Sequence, residues 1–252
     1  FLEDTKMVPG AENKIGNYVS QLMTTVVDTN STDFVKQLAL DELNKINMDG
    51  TIVNSLPYHH DAWRIFFEEN KVDDFSEKLK RYKGGGTLDL MKAVYGDIYS
   101  IDELKKMSDD KEIIFRKIYK GNIKPIEGFL EFIFDLKSKK ILIGLASNAI
   151  RKNVTLTLNE LGVHDLFDSS ICGDEVNFGK PNPEMFDKTV SRFKIKKDNC
   201  IIFEDSIEGV GAAINAGISV IGMTSSSSSD ILNKAGCIKS ISDYTDFEQL
   251  IK

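Results

Sequence analysis

Three near-continuous apolar runs constrain this chain more than any other feature: Ile141-Leu142-Ile143-Gly144-Leu145-Ala146, Ile201-Ile202-Phe203 and Ile218-Ser219-Val220-Ile221-Gly222-Met223. A strand with one solvated face alternates apolar and polar residues, whereas a strand covered on both faces does not. Segments with helical spacing lie around and between the runs, at Arg151–Leu161, Pro183–Arg192 and Ile207–Ala216. Short buried strands alternating with helices predict a parallel α/β sheet. In such sheets chemistry is done beyond the carboxyl ends of the strands, so the residues that follow each run are the informative ones.

Ser147-Asn148-Ala149 follows the first run and Glu204-Asp205-Ser206 the second, with Gly179-Lys180-Pro181-Asn182-Pro183 between them and Asn47-Met48-Asp49-Gly50-Thr51 upstream. A phosphate group needs donors, which the Ser147 hydroxyl, Lys180 and loop N–H groups supply. A divalent cation such as Mg²⁺ needs oxygen ligands with substrate phosphate completing the shell, and Glu204 and Asp205 suit that role. Each element alone has a plainer reading. Gly-Lys-Pro is also a turn with a solvated lysine. Glu204-Asp205 is also a strand-end pair or a cap for the next helix, and Ser147 is also a helix N-cap. The argument rests on their order after the strands.

Upstream of the sheet pattern, residues 58–122 read as helical. Ala62–Phe67 opens one amphipathic helix, Leu88–Tyr95 is a second, and Ile101–Tyr119 supplies one or two more. Lys83-Gly84-Gly85-Gly86-Thr87 separates them, and three glycines in a helix interior would cost roughly 1 kcal/mol each, so a loop is expected. Residues 1–46 look unlike the rest, with a β-branched stretch at Leu22–Val27 and helical spacing over Phe34–Leu43. They read as an N-terminal appendage. The net charge of −7 disfavours nucleic acid as a partner. No apolar stretch is long enough to span a bilayer. Cys172, Cys200 and Cys237 form no disulfide framework, which suits reduced thiols and a cytoplasmic location.

Met48-Asp49-Gly50-Thr51-Ile52-Val53-Asn54-Ser55-Leu56-Pro57-Tyr58-His59-His60-Asp61-Ala62-Trp63, with Leu145–Ala149, Gly179–Phe186 and Ile202–Gly217, resembles the haloacid dehalogenase superfamily, in its β-phosphoglucomutase-like phosphatase branch. The resemblance runs over about residues 47–250. It implies a Rossmann-like parallel-sheet core, residues 47–53 and 123–252, with an α-helical cap domain inserted at 54–122. It further implies a Mg²⁺-dependent phosphatase of a small phosphorylated metabolite such as a sugar phosphate. By resemblance, Asp49 is the general acid/base, and its carbonyl also binds Mg²⁺. Ser147 and Lys180 bind phosphate, with Gly50 and Asn148 beside them. Glu204 and Asp205 form the carboxylate end of the metal site. His59 and Lys83 engage substrate and hinge the cap; for His59, a satisfied hinge histidine is an equal reading.

The pattern breaks in three places. The family's nucleophile, an aspartate that also ligates the metal, is Asn47 here. An amide is nearly isosteric but neutral and a far poorer nucleophile. The segment before it, Asp41-Glu42-Leu43-Asn44-Lys45-Ile46, has two apolar residues in six, a poor buried strand. A decayed first motif, a stretch foreign to the domain, and a strand imposed by tertiary context all remain open. Finally, Thr87 stands where the mutases carry an arginine for a distal phosphate, which favours a phosphatase over a β-phosphoglucomutase-type isomerase. Asn47 also leaves open a non-catalytic binding or regulatory module.

Overall fold

A computed structural model of the chain describes residues 43–72 and 87–245. Most of the appendage expected at 1–46, together with Lys83 and the three glycines after it, lies outside the described residues.

Among the described residues, six strands form one sheet: β1 Leu43–Ile46, β2 Leu142–Ala146, β3 Ser169–Ile171, β4 Cys200–Glu204, β5 Ser219–Met223 and β6 Lys239–Ile241. Their order is β3-β2-β1-β4-β5-β6, and every pairing is parallel. The chain moves outward on one side of β1 and then returns to the other, so β1 is the switch point of a doubly wound sheet. The register aligns Ile46 with Leu145 on one side and Phe203 on the other. The residues after these three positions therefore leave the sheet at the same edge.

The boundary expected at residue 46 is thus corrected. Leu43–Ile46 is the central strand, not part of an appendage. Its composition predicts a strand weakly. Yet a segment with partners on both edges satisfies all its backbone groups there, and that context overrides propensity. The three runs read from the sequence are β2, β4 and β5. The edge strands β3 and β6 were not legible: each is three residues long and two of those are polar.

Alternation along the strands builds the two faces. Ile201 and Phe203 join Ile46, Ile143 and Leu145 under helices α4 Phe129–Ser138 and α5 Arg151–Glu160. Cys200 and Ile202 join Val220 on the other face, under α6 Glu184–Phe193, α7 Ile207–Asn215 and α8 Ser229–Ala235. Among the described residues, three helices precede α4 in the stretch between β1 and β2: α1 Leu56–Glu69, α2 Thr87–Tyr95 and α3 Ile101–Tyr119. They hold a cluster of their own, Phe66, Phe67, Met91, Val94, Tyr95 and Leu104. At its far end α3 sends Phe115 and Tyr119 into the cluster above the sheet, so one helix serves both. α3 begins with a reciprocal capping box between Ser100 and Glu103.

Candidate active site

The first part of the site is the turn that leaves β1. The Asn47 N–H donates to the Phe203 carbonyl at 3.2 Å, which carries the ladder one residue past the strand. The chain then doubles back, with the Ile52 N–H on the Met48 carbonyl and the Gly50 N–H on the Val53 carbonyl, both at 2.8 Å. Gly50 has φ +72°, and a Cβ there would fall 1.9 Å from Asp205 Oδ2. Only glycine meets both demands.

This turn carries Asn47 and Asp49. The Asn47 amide is buried, and its Nδ2 donates to the Asp49 carbonyl at 3.0 Å and to Asp205 Oδ1 at 3.1 Å. The Ser55 hydroxyl donates to Asp49 Oδ1. Burial, opposed by that Ser55 bond, pushes the Asp49 carboxyl up to about 6. A carboxyl poised there both gives and takes protons near neutral pH, as a general acid/base must.

The second part lies at the ends of β2 and β4. The Lys180 side chain is buried, with Nζ donating to the Ala146 carbonyl at 3.0 Å and to Glu204 Oε1. The Lys180 N–H donates to Asn148 Oδ1 at 3.2 Å. Ser147 is buried, and its Oγ accepts the Ala149 N–H at 3.1 Å. That bond lies within the loop, whereas the N-cap position of α5 is Ile150, so Ser147 is not the helix cap. Burial raises Glu204 to about 7 even with the Lys180 ammonium beside it.

The adjacent acids Glu204 and Asp205 diverge. Glu204 turns to Lys180, and its other oxygen, Oε2, has no hydrogen-bond partner and faces Gly209, where a Cβ would lie 2.0 Å away. Asp205 turns to Asn47 and accepts from the Ser226 hydroxyl, and burial raises its carboxyl too. Ser206, not either acid, caps α7. Among the described residues no three His, Cys, Asp or Glu side chains cluster as a metal site.

Asn47, Asp49, Gly50 and Asp205 are therefore in direct contact, as are Lys180, Asn148 and Glu204. The two sets are joined through the consecutive residues that end β4. Two contributors were missed. The serine run after β5 reaches into the site: Ser225 donates to the Gly50 carbonyl and Ser226 to Asp205. The other is Lys111. Its Nζ lies 2.8 Å from His59 Nδ1, while the imidazole stacks on Phe115 at 3.8 Å. Burial, with the Lys111 charge, depresses His59 to about 3, so the neutral ring accepts this bond. Lys111 also acts electrostatically on Asp49. The sequence held a signal for it: Leu104, Lys111, Phe115 and Tyr119 share one helical stripe, and a lysine there sits in a row of core positions.

Residues 47–223 match the family model described as haloacid dehalogenase-like hydrolase. The chain belongs to that family. A validoxylamine A 7′-phosphate phosphatase of Streptomyces hygroscopicus subsp. limoneus is 25% identical over 209 residues, covering 79% of this chain and 92% of that protein. A phosphorylated carbohydrates phosphatase of Thermotoga maritima is 30% identical over 177 residues, covering 68% and 80%. Among solved structures, a HAD hydrolase of family IA, variant 3, from Entamoeba histolytica superposes with a TM-score of 0.73 at 24% identity, over 81% of this chain and 94% of that one. A β-phosphoglucomutase from Clostridium difficile gives 0.70 at 24%, over 84% and 96%. The haloacid dehalogenase fold thus accounts for the sheet order. No described helix is long and apolar enough to cross a membrane.

Proposed function

We propose that this family member is built to bind a small phosphorylated metabolite such as a sugar phosphate, and that it retains every part of a phosphatase except the nucleophile. One observation carries the reading. Where the reaction needs a carboxylate to attack phosphorus, Asn47 presents a neutral amide whose N–H groups are committed to Asp49 and Asp205. Phosphate would be held by Ser147, Asn148 and Lys180, with Gly50 beside them, and Lys180 neutralises charge developing in transfer. Asp49 protonates the leaving group. The helical insertion serves as the cap, with His59 and Lys111 at its junction; Lys83, outside the described residues, keeps its expected role against substrate.

The donors suit a weak Mg²⁺ site. Asp205, the Asp49 carbonyl and, with its amide turned over, the Asn47 oxygen would hold the ion, with Glu204 acting on it through Lys180. When bound, Mg²⁺ supplies charge neutralisation to the phosphoryl oxygens. An aspartate at 47 would add one negative charge to that set. The same amide favours a second reading, a non-catalytic phosphoester-binding or regulatory module.

The test compares the natural chain with Asn47→Asp, using p-nitrophenyl phosphate with and without Mg²⁺. The unchanged chain is expected near background. The aspartate variant should gain Mg²⁺-dependent turnover of about a thousandfold or more, the order lost when a catalytic nucleophile is removed. Robust Mg²⁺-dependent turnover by the unchanged chain overturns the reading. Saturable phosphate-ester binding by a variant that gains no turnover favours the binding module.

A further inference from the structure

A chain of hydrogen-bonded polar side chains, buried at its centre, runs from the helical insertion into the core, and the proposed chemistry leaves most of it unused. It starts at His59 on α1, whose Nδ1 meets Lys111 Nζ of α3 at 2.8 Å. Lys111 donates to Glu112 Oε1 at 2.9 Å. The other Glu112 oxygen accepts from Asn153 Nδ2 at 2.7 Å, and Asn153 Oδ1 accepts from Arg116 at 2.9 Å. Lys111, Glu112 and Asn153 are 2%, 7% and 2% exposed. Asn153 is on α5, the helix that begins just after the Ser147-Asn148-Ala149 loop.

Buried charges are costly, and a buried ion pair adds little net stability compared with apolar packing. What such a network supplies is geometric selection, because each donor and acceptor is satisfied in one arrangement and orphaned in others. Here that arrangement fixes α3 against α5. It also holds Glu112 so that Oε1 takes Lys111, and Lys111 in turn meets His59 and acts on Asp49.

We propose that Glu112 and Asn153 latch the cap to the helix behind the phosphate loop, as positioning residues that set where Lys111 stands against His59 and the Asp49 turn. The latch rests on the phosphoester reading only for what it serves; the contacts exist whether or not the chain turns over substrate. Asn153 is the residue that converts a contact within the insertion into a contact with the core.

The single tryptophan provides a readout. Trp63 on α1 has Lys111 Nζ 4.8 Å above its ring. In the full chain, Asn153→Asp sets a second carboxylate against Glu112. Acrylamide quenching of Trp63 is expected to rise, and hydrogen exchange in α1 and α3 to quicken about tenfold, with β4 and β5 unaffected. Glu112→Gln combined with Asn153→Asp swaps the polarity of the bridge. The amide then at position 112 can accept from Lys111 and donate to the carboxylate then at position 153, which also accepts from Arg116. Both signals should therefore return to the natural values.

Glu112→Gln alone leaves two amides facing each other and should move Trp63 in the same direction as Asn153→Asp, which gives a second reading should that variant fold poorly. In the Asn47→Asp background, Asn153→Asp should lower kcat about tenfold with KM changed less than about twofold, and the swap should restore it. Unchanged quenching and exchange in both single variants, or a swap no better than the singles, overturns the latch. Absence of turnover in the Asn47→Asp background, with the Trp63 pattern intact, counts against the phosphatase reading and leaves the latch standing.

Discussion

At the scale of single residues, the site is held together at the expense of stability. Asp49 is the clearest case, because burial moves its carboxyl from an ordinary 3.8 to about 6. Between those values the folded chain holds a proton that the unfolded chain has lost. Asp49 therefore adds no penalty below about 4, and stability falls as pH rises through its folded value. Above that value the penalty is complete, at about 3 kcal/mol from the size of the shift. Asp49→Asn is expected to raise the urea midpoint at about pH 7.5 and to flatten the decline between about pH 4 and 6. A midpoint unchanged at both ends of that range would count against a buried, ionised Asp49. Gly50 shows the complementary constraint. The reason for glycine there, the Asp205 carboxylate packed against its Cα, exists only once β4 lies beside β1.

At the scale of elements, the helices were legible where their cause is local. Periodicity predicted α2, α5, α6 and α7 within a residue or two and α3 as one or two helices, but placed the start of α1 at Ala62, six residues late, because spacing acts inside one segment while α1 begins at Leu56 beside Pro57. The Ser100–Glu103 box starts α3 and satisfies donors that the helix cannot satisfy itself. Ser100→Ala should cost about 1 kcal/mol in chemical denaturation. Since α3 carries Lys111 and Glu112, the same variant should loosen Trp63 more than it loosens the sheet, as the ratio of amide exchange in α3 and β5 would show. Elements whose cause is not local are hidden in the sequence. β3 and β6 are strands because a neighbour offers them an edge. Lys111 stands out in the sequence only as a charge in an apolar stripe, and its role has meaning only when its partners, His59 and Glu112, are seen.

For the whole molecule, the decisive element is β1. It pairs with β2 and β4 at once, so without it the two halves of the sheet have no shared strand. A chain beginning at Asn47, where the sequence pattern begins, should fail to show a cooperative melt by circular dichroism. One that retains Leu43–Ile46 should recover it. Equal stability of the two would mean that the sheet does not need its centre.

The sequence by itself determined the class of fold and which polar residues follow its buried strands, since buried parallel strands demand apolar runs. It also put an amide, Asn47, two residues before Asp49, which no structure was needed to find. Tertiary structure alone decided that Leu43–Ile46 is the central strand and that the amide of Asn47 bridges Asp49 and Asp205. It also decided that Glu204 turns to Lys180 while Asp205 does not, and that Lys111 is the lysine at His59. Each of these depends on residues far apart in sequence whose polar groups must be satisfied together once water is excluded, and that condition is set by the packed molecule and not by any one segment.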